Sequence, residues 1–384
     1  MRKIGDRIAG IFLEDLSEGT SKVEQVARRK NNFNLLRMLA AIAVLVSHAY
    51  SLSLGLGTIE PLDHALGMSL GVLAVLTFFA ISGYFISQSF QTKRSLVEFT
   101  AARFFRLYPG LFVALFISAF VLGPAFTTLK YVDYITHPAT MLYMPRNIVL
   151  WPLQDYLPGV FDSNPYPTAI NGSLWSLAYE VACYVMVAVV MTLSQSSPRR
   201  FFAVFLVAFV VFYLATIPVL RSHSQGLTIL RNMHLVMLPF VVGMALFEFR
   251  KVVPLRIAVL IALSIAAMVS YKHWWFHEIF VITWSYGVFY IGFSELPLVL
   301  AYNKFGDYSY GTYIYGFPVQ QAVASVLGGC TPLVMMIWSL PLTILLAVLS
   351  WHLIEQRALA QRSIWSQFFS PQQGAGHSHD AERA

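Results

Sequence analysis

The chain has 384 residues, of which 57% are hydrophobic and only 12% are charged. A soluble protein of this size needs about twice that charged fraction to cover its surface. The composition therefore excludes a soluble enzyme, a disordered chain and a disulfide scaffold, and it indicates a polytopic membrane protein. The net charge of +7 does not indicate nucleic-acid binding, because the cations lie in short segments beside apolar runs, where they determine membrane orientation.

Apolar runs along the chain predict an all-α fold with about ten membrane-spanning helices, since a bilayer core about 30 Å thick requires roughly 20 apolar residues per helix. Residues 1–30 are polar and charged, which predicts a cytosolic tail. The membrane domain is predicted over 31–358, and a disordered cytosolic tail is predicted over 359–384. The predicted spans are 33–54, 66–90, 109–128, 173–194, 201–220, 230–248, 255–270, 275–296, 308–328 and 331–354.

Lysine and arginine residues near the span ends predict the orientation of the chain. With the amino terminus inside, sixteen of these cations face the cytosol and five face the other side. This asymmetry places both termini in the cytosol. The inner cations are Arg28, Arg29, Lys30, Arg37, Lys93, Arg94, Arg103, Arg106, Arg199, Arg200, Arg250, Lys251, Arg256, Lys304, Arg357 and Arg362, and the outer ones are Lys130, Arg146, Arg221, Arg231 and Lys272.

The first predicted span carries two polar side chains, which are functional candidates because a titratable group in hydrocarbon is costly. Arg37 and His48 are eleven residues apart, and at about 100° per residue they share one face of a helix. A rise of about 16 Å places His48 near the middle of the membrane if Arg37 lies at the inner boundary. The alternatives are an interfacial anchor for Arg37 and a structural hydrogen-bonding role for His48.

Two segments outside the spans also stand out. Residues 91–107 carry four cations, which predicts one amphipathic helix on the inner membrane surface, ended by Pro109. On spacing alone, Arg103 and Arg106 within it are typical of cations that contact lipid phosphate. Residues 129–172, rich in Pro, Tyr and Asn, form the longest predicted external loop.

The fourth predicted span carries Glu180, seven residues from its outer end. A rise of about 10 Å from that end places this carboxylate within one helical turn of the depth predicted for His48. An imidazole and a carboxylate at one depth can form a base and its orienting partner. An ion pair with an unrelated cation is the alternative for Glu180.

Two other motifs do not support a site, and no metal centre is predicted. His273, His277 and Glu278 have the spacing of metal ligands on a helix, but they lie among aromatic residues, which favours a membrane-interface belt. Residues 67–71 match the nucleophile-elbow pattern, but they open a membrane helix with no preceding strand.

Six motifs follow one another along the chain. They are Asn34-Leu35-Leu36-Arg37 with His48, Phe78-Phe79-Ala80-Ile81-Ser82-Gly83-Tyr84, Arg103-Phe104-Phe105-Arg106-Leu107-Tyr108-Pro109, Ser173-Leu174-Trp175-Ser176-Leu177 with Glu180, Tyr308-Ser309-Tyr310-Gly311 and Trp351-His352-Leu353-Ile354-Glu355. In order and spacing they resemble the acyltransferase 3 family of integral membrane acyltransferases. The resemblance extends from about residue 31 to 358, nearly the whole chain.

The resemblance implies a ten-helix, acyl-CoA-dependent O-acyltransferase in the bacterial inner membrane. The acyl group, usually acetyl, would pass from cytosolic acyl-CoA to a hydroxyl of a cell-surface polysaccharide or its lipid-linked precursor. Acyl-CoA is then the expected co-substrate, with no metal, and the expected partners are a glycan acceptor and membrane lipid. Acceptor recognition is expected in the 129–172 loop, with Trp151, Tyr156 and Tyr166 as platforms for sugar stacking.

Carried onto matching positions, the resemblance implies specific roles for five residues. His48 would be the catalytic histidine and Arg37 its essential partner, which also helps to hold the donor. Arg103 and Arg106 would be the family's Arg-x-x-Arg pair facing the coenzyme. Glu180 matches the family's acidic position on the fourth span and would orient the imidazole if the two side chains touch.

The chain departs from the family at Tyr315-Gly316-Phe317-Pro318, where members often carry a histidine after the tyrosine. No role of a second histidine can be assigned to this chain. A transporter or flippase remains the alternative function, because ten spans with polar residues near mid-membrane fit that class too. The lack of an internal repeat and the scarcity of intramembrane charge weigh against it. A non-catalytic assembly or sensor protein is a third class.

Overall fold

The computed structural model describes residues 31–93, 95–193, 198–221, 226–294 and 301–369. Within these ranges the chain is nearly all helical, and its only β-structure is two isolated bridges. The predicted tail at 1–30 and residues 370–384 of the second predicted tail lie outside the described residues. Disorder is the wrong prediction for 359–369, because these residues belong to a helix that packs against the helix carrying Arg103 and Arg106.

The helices are numbered here in chain order. They are α1 (Phe33–Leu54), α2 (Pro61–Leu66), α3 (Leu70–Lys93), α4 (Leu96–Ile117), α5 (Tyr131–Ile135), α6 (Pro138–Val149), α7 (Trp175–Leu193), α8 (Pro198–Arg221), α9 (Thr228–Glu248), α10 (Ile257–Ser270), α11 (Phe276–Phe293), α12 (Ser309–Leu327), α13 (Pro332–Ser350) and α14 (Gln356–Phe369). π-helical turns at Ser118–Leu122 and Trp351–Glu355 extend α4 and connect α13 to α14.

Seven helical stretches of the described chain are long and apolar enough to cross a membrane. They are Phe33–Leu54, Leu70–Thr92, Leu96–Phe126, Gly172–Leu193, Arg200–Leu220, Thr228–Glu248 and Pro332–Arg362. The all-α, multi-pass membrane architecture is therefore confirmed. Helices α10, α11 and α12 occupy the other three predicted spans, and the count of ten spans with cytosolic termini stays a prediction.

The centre of the bundle is built from α1, α3, α9 and α12. Helix α3 packs along both α1 and α9, and α12 packs along α1 and α13. The approach of α3 to α9 depends on Gly83 and Gly243, since a Cβ atom on either glycine would collide with the backbone of the other helix. Small residues that let backbones approach closely are typical of membrane helix contacts. Helix α12 is buried along most of its length, although it is less apolar than its neighbours.

The predicted end of the 91–107 helix at Pro109 is wrong. The Ser95 side chain caps the start of α4, and the helix then runs through Pro109 to Ile117. A proline inside a membrane helix is tolerated where neighbouring helices satisfy backbone groups near it. The Tyr310 hydroxyl of α12 donates to the Leu107 carbonyl at 2.7 Å, close to this proline. A location of the first part of α4 on the inner membrane surface stays a prediction.

The segment between α4 and α7 is folded rather than an open loop, and its last part descends into the bundle. The Asn171 side-chain amide donates to the Ile314 carbonyl of α12 at 2.8 Å. The next residue, Gly172, lies directly against the ring of Phe317. Helix α7 therefore begins beside the middle of α12 instead of beside one of its ends.

Candidate active site

Four arginines line one cavity of about 340 Å³ inside the helix bundle. Arg37 comes from α1, Arg103 and Arg106 from α4, and Arg362 from α14. Arg103 and Arg106 are three residues apart, which places both on one face of α4. Glu180 of α7 lines the same cavity. The structure thus brings together four of the five predicted site residues and adds Arg362, which the sequence indicated only as a cation near the inner end of the last span.

Asp307, just before α12, holds two of these arginines. Its Oδ2 accepts a hydrogen bond from Arg106 at 2.6 Å and lies 3.7 Å from the Arg37 guanidinium. Its Oδ1 accepts from the Ser309 backbone at 3.3 Å and from the Ser309 hydroxyl at 2.5 Å. Burial raises the pKa of the Asp307 carboxyl, but the charges of Arg106 and Arg37 outweigh burial, so the pKa lies below its usual value. Asp307 is therefore ionised at neutral pH.

The two arginines of the Arg-x-x-Arg pair have different surroundings. The Arg103 guanidinium lies over the rings of Phe99 and Tyr184, at 5.9 and 5.8 Å from their centroids. Within the described chain Arg103 makes no ion pair, and its buried Nε has no hydrogen-bond partner. Since a guanidinium carries five N–H donors, Arg103 keeps donors for a bound anion, whereas Arg106 is engaged by Asp307.

Glu180 lies with the arginines and not with His48. Its Oε1 accepts from the Tyr184 hydroxyl at 2.5 Å and from the Ser82 hydroxyl at 3.5 Å. The predicted common depth of Glu180 and His48 is wrong, because it assumed that the fourth span starts at the outer surface. The span starts at Gly172, at the level of Phe317, and Glu180 lies eight residues, or about 12 Å, further along.

His48 occupies a separate, largely apolar environment. Its ring packs edge-on against Phe317, with 5.2 Å between the centroids. Tyr166, from the segment between α4 and α7, packs against the same Phe317 ring at 5.9 Å. The His48 Nδ1 atom is buried and has no hydrogen-bond partner among the described residues. His48 is not one of the residues that line the arginine cavity.

Helix α12 connects the arginine cavity to His48. Tyr310 lies under the Arg106 guanidinium at 5.9 Å, Tyr313 lines the cavity, and Phe317 contacts His48. Steps of three and four residues place these rings on one face of the helix over about 10 Å. His48 therefore lies about one helical turn, roughly 6 Å, beyond the end of the cavity.

The cavity ends at a small layer of side chains near Phe317. The Tyr313 hydroxyl shares a 2.6 Å hydrogen bond with the Ser176 hydroxyl. The Phe78 ring packs edge-on against Tyr313, with 5.6 Å between centroids. All three residues line the cavity, so they form its boundary on the side of His48.

Glu355 is a second buried acid that the sequence did not single out as a site residue. It accepts from the Ser350 hydroxyl at 2.9 Å, while its Oε2 is buried with no hydrogen-bond partner in the described chain. Gly110 of α4 packs against both the Tyr310 ring and the Glu355 side chain. Glu355 thus lies near Tyr310, which lines the arginine cavity, although Glu355 itself is not part of the lining. Its place in the last of the six motifs is the signal that the sequence offered.

Comparisons with known proteins agree with the residues that build this site. A family model described as an acyltransferase domain matches residues 30–352, which include Arg37, His48, Arg103, Arg106 and Glu180. The chain belongs to the acyltransferase 3 family. The family assignment supports O-acyltransferase activity in a multi-pass membrane protein. No solved structure matches this acyltransferase.

Two relatives of this acyltransferase carry informative names. An O-acetyl transferase of Shigella phage Sf6 is 30% identical over 356 residues, which cover 87% of this chain and 98% of the relative. Nodulation protein 10 of Rhizobium leguminosarum bv. viciae is 30% identical over 171 residues, which cover 42% of this chain and 44% of that relative. The first match covers most of both chains and supports O-acyl transfer.

The segment between α4 and α7 of this acyltransferase exposes two of its three predicted platform residues. Trp151 is 56% exposed and Tyr156 is 45% exposed. Tyr166 is turned inward, where it packs against Phe317. No group of three or more His, Cys, Asp or Glu side chains in the described ranges could hold a metal ion.

Proposed function

We propose that this O-acyltransferase moves an acyl group, acetyl in the first instance, from cytosolic acyl-CoA to a hydroxyl of an exported polysaccharide or its lipid-linked precursor. The proposed location is the bacterial inner membrane, with the arginine cavity facing the cytosol. The observation that carries the proposal is the convergence of four arginines on one cavity within about one helical turn of a histidine whose Nδ1 atom is buried.

The cavity suits the anionic donor. Guanidinium groups present N–H forks that match phosphate oxygens, and a partly buried setting strengthens the attraction relative to water. Arg103 has unused donors, and Arg37 makes only a long contact with Asp307, so both can bind phosphate. Apolar residues such as Phe79 and Ile86 line the rest of the cavity, where the pantetheine arm would lie.

His48 supplies the chemistry in either of two routes. A neutral imidazole removes the proton from the acceptor hydroxyl as that oxygen attacks the thioester carbonyl, the new C–O bond replaces the C–S bond, and the proton passes to the departing thiolate. In the other route an imidazole nitrogen bonds to the carbonyl carbon as the C–S bond breaks, and the thiolate leaves with the ring proton. The acceptor oxygen then displaces the ring nitrogen from the acyl group, and the hydroxyl proton returns to the ring. Both routes need a ring nitrogen that is not committed to another partner, as His48 Nδ1 is not.

Glu180 acts on the donor side in this proposal. Its hydrogen bond to Tyr184 holds the ring that lies under Arg103. Because an aromatic face attracts a guanidinium, Glu180 would position Arg103 rather than the imidazole. Arg37 is on the same helix as His48, so a donor bound to Arg37 is held at a fixed distance from the histidine.

The segment between α4 and α7 is the proposed acceptor surface. Trp151 and Tyr156 present exposed rings on which sugar rings can stack. Tyr166 and Phe317 lead from this surface to His48 through two edge-on ring contacts. The acceptor would therefore approach the imidazole from the side opposite to the arginines.

The test is acyl transfer by the purified full-length protein in lipid nanodiscs, with acetyl-CoA labelled in the acetyl group and the host's glycan as acceptor. Wild type should transfer label to the glycan, and His48→Ala and Arg37→Ala should each abolish transfer while remaining in the membrane fraction. His273→Ala is the matched control, since His273 stacks on Trp275 away from the cavity, and it should transfer normally. Absence of transfer by wild type, or normal transfer by either site variant, would overturn the proposal.

A further inference from the structure

We infer that Asp307 is a positioning residue that fixes the donor-binding arginines relative to His48, an inference that rests on the proposed function. Asp307 touches neither the acceptor surface nor the imidazole. It acts through Arg106, Arg37 and the start of α12, and its loss should impair donor binding selectively.

Each oxygen of the Asp307 carboxylate serves a different element. Oδ1 accepts the backbone N–H and the hydroxyl of Ser309, which ties it to the first residue of α12. Oδ2 accepts from Arg106 of α4 and approaches Arg37 of α1. One carboxylate, 12% exposed, thus contacts three helices near the cavity.

The contact of Asp307 with α12 also fixes the distance between the arginines and His48. Asp307 lies two residues before α12, and the helix is continuous from Ser309 to Phe317, eight residues further along. Eight residues correspond to about 12 Å of helix. Because Phe317 contacts His48, α12 holds the arginines at one end of this spacing and the imidazole at the other.

The ion pair between Asp307 and Arg106 gives the arginines different roles. Arg106 makes a 2.6 Å bond to Asp307 and lies over Tyr310, whose hydroxyl is bonded to the backbone of Arg106's own helix. This arrangement fixes Arg106 in place. Arg103 and the loosely paired Arg37 then remain for donor phosphate.

Removal of the Asp307 charge should displace Arg106, because a buried cation that loses its partner seeks another acceptor or water. The acceptors within this region are Glu355, which has one unpartnered oxygen, and Glu180. A guanidinium that shifts toward either one changes the shape and charge of the donor site. A misplacement of about 1 Å can cost up to about 100-fold in an enzyme reaction.

The experiment compares Asp307→Asn, Asp307→Glu and wild type in the nanodisc transfer assay, with KM determined separately for acetyl-CoA and for the glycan. Asp307→Asn should raise the KM for acetyl-CoA about 10- to 100-fold and leave the KM for the glycan unchanged. Asp307→Glu, which keeps the charge, should recover most of the donor affinity. Asp63→Asn, at a carboxylate on α2 that does not line the cavity, is the matched control and should behave as wild type.

A second variant keeps the test decisive if Asp307→Asn does not fold. The pair Arg106→Gln with Asp307→Asn removes both charges and leaves no unpaired buried ion, and it should show the same selective loss of donor affinity. A wild-type KM for acetyl-CoA in Asp307→Asn, or equal increases in both KM values in either variant, would overturn this inference while the proposed function stands. An inactive wild type would overturn the proposed function and this inference with it.

Discussion

The arginine cavity and the surroundings of His48 both involve α1 and α12, but they differ in how their polar groups are paired. In the cavity, charges are abundant and compensated: Asp307 holds Arg106, and Glu180 is bonded to Tyr184. Around His48, one polar ring lies against Phe317 with an unpartnered nitrogen. A site that binds an anion needs fixed, compensated cations, whereas a site that moves a proton needs a nitrogen that no other group occupies.

Substitution of His48 tests this comparison with the largest expected effect. His48→Gln should lower kcat by about 100- to 10,000-fold, the range typical of a lost general base, and should leave acetyl-CoA binding intact. The comparison predicts this separation because His48 does not line the arginine cavity. Turnover and equilibrium binding of labelled acetyl-CoA measure the two properties. Loss of donor binding in His48→Gln would show that the two regions form one site.

Substitution of Arg103 tests the role of the arginine cavity in donor binding. Arg103→Gln should raise the KM for acetyl-CoA about 10- to 100-fold, since a hydrogen bond to a charged group contributes about 1.5–3 kcal/mol. The kcat at saturating donor should change little. Steady-state kinetics at varied acetyl-CoA checks this, with Arg146→Gln, an exposed arginine on α6, as the matched control. An unchanged donor KM in Arg103→Gln would remove Arg103 from the donor site.

A smaller effect is expected for substitution of Phe317, the residue of α12 that contacts His48. Phe317→Leu should lower kcat about 3- to 10-fold, because an aromatic contact contributes about 0.5–1.5 kcal/mol beyond its buried area. The KM for acetyl-CoA should not change, since Phe317 lies outside the cavity lining. Phe112→Leu, at a position where the ring is 52% exposed, is the control for loss of an aromatic ring. A donor defect in Phe317→Leu would contradict the separation of the two regions.

The smallest effect concerns the pH dependence of stability. The lowered pKa of Asp307 means that its ion pairs are complete above the ordinary Asp pKa of about 4 and are lost as the pH falls through the lowered value. The difference in melting temperature between wild type and Asp307→Asn should therefore be constant from about pH 8 to about pH 5 and narrow below about pH 4. Thermal unfolding in nanodiscs across this range measures it. A difference that vanishes between pH 8 and pH 5 would contradict the role of the ionised carboxylate.

Much of the fold could be predicted because apolar runs report directly on membrane helices. The first span was predicted at 33–54, and α1 has the same bounds. The common face of Arg37 and His48 followed from helical periodicity alone. The roles of Arg103 and Arg106, by contrast, came only from the resemblance to the family, because two cations near a membrane surface have many possible functions.

The error about Glu180 arose because depth was counted from the membrane surface. Glu180 was assigned to the level of His48 because the sequence does not show that residues before α7 descend into the bundle. The buried Asn171 amide holds these residues inside the bundle through a hydrogen bond to Ile314, which is 143 positions away. The sequence did not indicate Asp307 as a site residue, since its partner Arg106 is 201 residues away. Contacts of this range depend on packing and leave no local pattern.

The most direct test of the donor site is a cryo-electron microscopy structure of the protein in nanodiscs with a non-transferable acetyl-CoA analogue. The account predicts phosphate density against Arg103 and Arg37, with the pantetheine arm passing the Tyr313 layer toward His48. Analogue density at another location, or density in the cavity that ends short of the layer with His48 still enclosed by Phe317, would contradict it.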